Sequence, residues 1–134
     1  MSYVLDTNIV VAALNGDRDV VARLNQVPEG EALLPAMVLG ELRYGALSSS
    51  RVAENLERIE RILDVLVLIT MDRGVVERFA SIKAHQRRIG FTKSDADLLI
   101  AATAMEQSAI LVTNDQALHD GTIGGLQVEN WIVT

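Results

Sequence analysis

Four acidic residues occupy positions from which carboxylates can be brought together. Asp6 directly follows the apolar stretch Tyr3–Leu5, and Asp115 follows the apolar run "AILVT" within "VTND". Asp97 lies at the start of the apolar helical segment in "DADLLIAATA", as its second acid, and Glu41 lies inside "AMVLGELRYGAL". A carboxylate hard against an apolar strand is costly to bury unless it is paired. Several together cannot all stay ionised without a cation nearby. Hard oxygen donors of this kind suit Mg²⁺ or Mn²⁺, and such an ion lowers the pKa of a bound water and polarises a phosphoryl oxygen. The chain offers no competing catalytic set. It has no cysteine and only two histidines, His85 and His119, and it contains no P-loop, no G-x-G-x-x-G and no serine-hydrolase elbow.

The elements that must carry these acids alternate along the chain. "YVL" reads as strand and "NIVVAAL" as helix; "ALLP" is strand and "AMVLGELRYGAL" helix. A further helix follows an expected cap at Ser50, with Val52, Leu56, Ile59 and Leu63 on one face. "LVLIT" reads as a buried strand, and the next helix runs from an Asp72 cap to a Gly90 stop. "SDADLLIAATAMEQS" is apolar almost all round and is expected to be central. "AILVT" and "LQVENWIV" complete the strands, the last at an edge. Such alternation predicts an α/β fold, a three-layer α/β/α sandwich around a mainly parallel sheet, in one domain spanning residues 1–134. Ligands of such sheets sit outside the carboxyl ends of the strands, where Asp6 and Asp115 fall. On a helical wheel Glu41 lies beside the apolar face of Val38, Leu39 and Leu42, and is expected to point inward over that edge.

Each acid also has a purely structural reading. Asp6 can cap the helix that follows it. "SDAD" forms a capping box with Ser94 as the cap and Asp97 three positions on. Asp115 is a natural turn residue, and Asp95 complements the dipole of a helix start. The histidines read as surface residues, and Trp131, Tyr44, Phe79 and Phe91 as core or interface.

Composition bounds the function further. The 134 residues are 49% hydrophobic with a formal charge of −6, which argues against indiscriminate binding to nucleic acid through bulk charge. All twelve Lys and Arg lie between Arg18 and Lys93, so a local basic patch can coexist with an acidic site. Arg43, Lys83, Arg87, Arg88 and Lys93 are the candidates for such contacts; a solvated helix face is the alternative. No run approaches the roughly 18 apolar residues of a membrane span, and the start lacks signal-peptide features. A cytoplasmic protein without membrane association is the expectation.

The segments "YVLDTNIV", "PAMVLGELRYGAL", "DADLLIAATA", "AILVTND" and "GLQVENW", in that order, make the chain resemble the PIN-domain ribonucleases, specifically the VapC-type toxins of bacterial toxin–antitoxin pairs. The resemblance implies metal-dependent endonucleolytic cleavage of RNA, single-stranded or looped. It also implies a VapB-type antitoxin partner and a homodimer. Carried over by position, it assigns the acids to Asp6, Glu41, Asp97 (not Asp95) and Asp115, with Thr7, Asn8 and Thr113 in support, as catalytic groups and ligands of Mg²⁺ or Mn²⁺. Glu41 is assigned to orienting or deprotonating the attacking water. Two positions depart from the pattern. Many relatives have a His-Phe pair after the last acid where this chain reads "QAL", and Pro35 and Ala36 stand where others have Ser or Thr. Two other functions compete: a PIN-fold module that binds without cutting, and a haloacid-dehalogenase-type phosphohydrolase. The latter wants a second Asp where this chain has Asn8.

Overall fold

The computed structural model describes residues 1–133. Five strands, β1 (Tyr3–Leu5), β2 (Ala32–Pro35), β3 (Val67–Ile69), β4 (Ile110–Val112) and β5 (Val128–Glu129), form one sheet in the order β3-β2-β1-β4-β5. Every neighbouring pair is parallel. Six helices connect them: α1 (Thr7–Leu14), α2 (Arg18–Gln26), α3 (Ala36–Leu47), α4 (Val52–Leu63), α5 (Arg73–Arg88) and α6 (Asp95–Glu106). Successive residues of a strand face opposite sides of a sheet. All four residues of β2 are buried, so helices cover both faces there. This is the three-layer α/β/α arrangement expected from the alternating pattern.

The apolar helix α6 is central, as its composition predicts. Leu98, Ile100, Ala101, Ala102 and Ala104 are all buried, and it packs against α5, α3, β1 and β4. Thr103, the polar residue among them, donates its hydroxyl to the Leu99 carbonyl one turn back, 2.8 Å away, so no lone donor is left inside. Helix α5 starts at Asp72, whose carboxylate accepts from the Val75 amide at 3.0 Å, and ends before Gly90 at φ +82°, a left-handed stop suited to glycine.

Three details differ from the sequence expectations. The "LVLIT" strand is not buried: β3 is an edge strand, with Val67 40% and Leu68 43% exposed. An apolar run alone does not distinguish a central strand from an edge one. Helix α4 is capped at Arg51 rather than Ser50. The serine that works there is Ser49, whose hydroxyl accepts from the Arg51 amide and from Asn55. Helix α2 has no counterpart in the sequence reading. Its signal is Asp17, which accepts from the amides of Asp19 and Val20. Only Val20 is buried along this helix, although Val20, Val21 and Leu24 fall at helical spacing. Arg23 on α2 reaches Glu129 of β5 at 2.8 Å and lies over the ring of Trp131, tying the C-terminal strand down.

The contrast between a central and an edge strand is measurable. Leu111→Ala, in β4 with no exposed surface, is expected to cost about 2–5 kcal/mol in urea unfolding. Leu68→Ala is expected to stay within about 0.5 kcal/mol. Equal losses would mean that β3 is covered.

Candidate active site

The sheet changes direction of winding between β1 and β4, and a crevice at such a switch point, at the carboxyl ends of the strands, is where open parallel sheets bind ligands. Asp6 leaves β1 there, and Thr113, Asn114 and Asp115 leave β4. The main chain fixes both exits, since the Asp6 amide donates to the Val112 carbonyl at 2.9 Å and the Thr113 amide to Glu129 at 2.9 Å.

Asp6 is only 5% exposed. Its Oδ1 accepts from the Thr7 amide at 2.8 Å, which makes it the cap of α1, and its Oδ2 accepts from the Thr113 hydroxyl at 2.6 Å. Asn8 Nδ2 adds a long contact of 3.5 Å. These donors answer the cost of burying the charge. The Thr113 hydroxyl also accepts from the Asp115 amide at 3.0 Å, so one buried side chain links the two strand-end acids. Asp115 in turn caps a single 3-10 turn, Gln116–His119, through the Ala117 amide at 3.0 Å. His119 of that turn is half-buried rather than free at the surface, with Nε2 2.7 Å from the Thr113 carbonyl. It occupies the stretch where the sequence reading noted only a missing His-Phe pair.

Asp97 sits in the first turn of α6. Ser94 caps the helix by accepting from the Asp97 amide at 3.1 Å, so half of the expected capping box is present. The Asp97 carboxyl is pushed above its ordinary value of 3.8. The first cause is partial burial, followed by the charges of Asp115 and Asp6 and a hydrogen bond with Asp115; the Ser94 hydroxyl acts in the opposite direction. The cap and site readings of Asp97 are therefore compatible: the main chain serves the helix while the carboxyl faces two other acids.

Glu41 lies on the open side. It is exposed rather than turned inward, but the Thr7 hydroxyl donates to its Oε2 at 2.9 Å and holds it beside Asp6. Helix α3, which carries it, begins after Pro35 without a side-chain cap, where Ser or Thr would have supplied one. Among the described residues no three acidic or histidine side chains stand close enough to hold one ion. The fit to a cation rests on donor chemistry: all donors are oxygen, and the charges of Asp6 and Asp115 both act on the Asp97 carboxyl. Such a set suits a hard divalent ion.

The basic candidates scatter. Arg43 pairs with Glu60 at 3.1 Å and Lys83 with Asp95 at 2.8 Å, both in solvent. Arg87 and Arg88 are exposed in the last turn of α5. Lys93 is not a surface cation. Its side chain is 2% exposed and all three of its protons are engaged, which removes it from the backbone-contact group. Tyr44 and Phe91 are exposed and Trp131 is buried, so the aromatic residues are not uniformly core.

A parallel α/β fold with acids at its switch point defines a class, and the comparisons narrow it. Residues 3–122 match the PIN domain, and the chain belongs to the PIN-domain family. It is 31% identical over 133 residues to ribonuclease VapC2 of Haemophilus influenzae, covering 98% of this chain and 99% of that one. It is 28% identical over 131 residues to the tRNA(fMet)-specific endonuclease VapC of Shigella flexneri, covering 98% of each. Among solved structures, VapBC2 of Rickettsia felis bound to a promoter DNA fragment superposes with a TM-score of 0.90 at 29% identity, covering 98% of this chain and 100% of that one.

The raised Asp97 carboxyl gives a stability test. A group that binds its proton more tightly folded than unfolded loses stabilisation as pH rises through its folded pKa. Ionised Asp97 therefore works against the metal-free fold at neutral pH. Asp97→Asn in EDTA is expected to melt at or above the parent temperature at pH 7. Any advantage should vanish as pH falls through the titration of Asp97. A variant that melts lower at pH 7 would make Asp97 a helix-start residue only.

Proposed function

We propose that this chain is an endoribonuclease acting as the toxin of a VapBC-type pair in the cytoplasm, with the whole chain working as one domain. The observation that carries this is the placing of Asp6, Asp97 and Asp115 around one sheet crevice, with Glu41 held at its rim by Thr7. The names of the relatives supply the substrate class, RNA, and the partner class, a VapB-type antitoxin. A homodimer follows from the family resemblance.

Mg²⁺ or Mn²⁺ held by Asp6, Asp97 and Asp115, with Glu41 at the open side, would supply positive charge to the phosphodiester and acidify a bound water. The chain's own groups have separate tasks. Thr113 and the Thr7 amide fix the Asp6 carboxylate, leaving it no freedom to rotate. Thr7 occupies Glu41 Oε2, which leaves Oε1 to take the proton of the attacking water on the solvent side, where an RNA strand can reach it. A splayed single strand or loop brings its phosphates to such an edge more readily than a duplex does. Arg87 and Arg88 are free to meet the RNA backbone.

Purified protein is expected to cut RNA only with Mg²⁺ or Mn²⁺ and to stop in EDTA; undiminished cutting in EDTA would overturn the metal-dependent mechanism. Initiator tRNA belongs in the substrate panel because a relative is named for it. Thr113→Val removes the hydroxyl that positions Asp6 without touching an acid. A loss of about 10–100-fold in metal affinity or activity is expected, as for other groups that orient a ligand. Parent-like kinetics in this variant would show that Asp6 needs no such support.

A further inference from the structure

The ribonuclease reading leaves Lys93 unexplained. Its ammonium lies 2.8 Å from Asp120 Oδ2, 2.6 Å from Gln86 Oε1 and 2.9 Å from the Thr122 hydroxyl. Those partners are themselves joined. Thr122 donates its amide and its hydroxyl to Asp120 Oδ1 at 2.9 and 2.7 Å, and buried Gln86 donates to the Thr122 hydroxyl at 3.1 Å. The network is closed, with every Lys93 proton placed. The Asp120 carboxyl is held down to about 2, chiefly by the hydrogen bond from Lys93.

Its position in the chain matters more than its completeness. Lys93 immediately precedes Ser94, the cap of α6, whose hydroxyl holds the Asp97 amide. Asp120 ends the 3-10 turn whose opposite end is capped by Asp115. The pair thus joins the segment that starts Asp97's helix to the segment that starts at Asp115. Gln86 anchors both to α5, the helix most extensively packed on α6. No other ion pair in the described residues bridges these two segments.

We infer that Lys93 and Asp120 are positioning residues: their ion pair, anchored by the buried ammonium, sets the distance between the Asp97 and Asp115 carboxyls and so the site's fit to a divalent ion. This rests on the proposed role of those acids. A solvated ion pair is too loose to fix such a distance, since its partners exchange with water. Here the carboxylate keeps an edge in solvent, but the Lys93 side chain is 2% exposed and all three of its protons are placed, which holds the ammonium in one geometry.

The test uses Asp120→Asn and the double variant Lys93→Met/Asp120→Leu. The second is needed because leaving the buried Lys93 ammonium without its counter-charge can unfold the protein, whereas replacing both partners with apolar groups of similar size often keeps a protein folded. Three quantities are read: the metal-free melting temperature, the Mn²⁺ dissociation constant by calorimetry, and kcat and KM separately on RNA. The double variant is expected to melt near the parent, to bind Mn²⁺ about 10-fold more weakly or worse, the range seen for groups that orient ligands, and to lose kcat with KM for RNA little changed. A folded double variant with parental Mn²⁺ affinity and kcat would overturn the inference, as would a lowered melting temperature alone. Should the parent bind Mn²⁺ but cut no RNA, the ribonuclease reading fails while the affinity comparison still decides the clamp. Should the parent bind no Mn²⁺, crystal structures of parent and double variant decide it, and an unchanged Asp97–Asp115 separation overturns it.

Discussion

The hydrogen bond from the Thr113 hydroxyl to Asp6 is the constraint around which the site is built. It is a buried contact between residues 107 positions apart, spanning β1 and β4 at the point where the sheet changes its winding. Without a donor there, a carboxylate at 5% exposure would face apolar strand ends and the cost of desolvation. With it, the charge becomes affordable and directional, and the same hydroxyl receives the Asp115 amide. The parallel register that sets Leu5 beside Val112 places the residues after each strand side by side, so sheet pairing is what delivers threonine to aspartate.

The four acids are held by four different means, and this explains their different exposures. Asp6 is fixed by the sheet, Asp97 by a helix cap, Asp115 by a short turn and Glu41 by one hydroxyl on a neighbouring helix. Rigidity falls in roughly that order, from buried ladder to exposed side chain. The raised Asp97 carboxyl records first its partial burial and then the charges of Asp115 and Asp6. Glu41, exposed and held by a single hydroxyl, is not among the charges that act on Asp97.

Much of this was legible in the sequence because the period of the apolar residues and the position of a residue relative to a strand end are local properties. Asp6, Asp115 and the all-apolar α6 could be placed from their neighbours alone. What was not legible depends on distance in space. The exposure of β3 depends on its having no strand beyond it, which an apolar run does not encode. Helix α2 is short and mostly polar, but its Asp17 cap and the helical spacing of Val20, Val21 and Leu24 were there to be read. Lys93 is the sharpest case. By residue type and neighbourhood it resembled a surface cation, and only partners 27 and 29 residues away convert it to a buried one.

The charge distribution then takes on a different meaning. Basic residues stop at Lys93, and the region beyond it carries six acids. Lys93 is the last cation in the chain, and it faces into that acidic region rather than out toward solvent, neutralising Asp120 beside the turn that presents Asp115. Had it been a surface residue, the segment from α6 onward would hold its acids with no cation of its own, and Asp120 would add to the repulsion near Asp115. By pairing Asp120 with Lys93, the fold leaves Asp97 and Asp115 as the acids beyond Lys93 without an ion pair among the described residues. The deficit of positive charge in this part of the chain thus falls at the two acids beside the exits of β1 and β4.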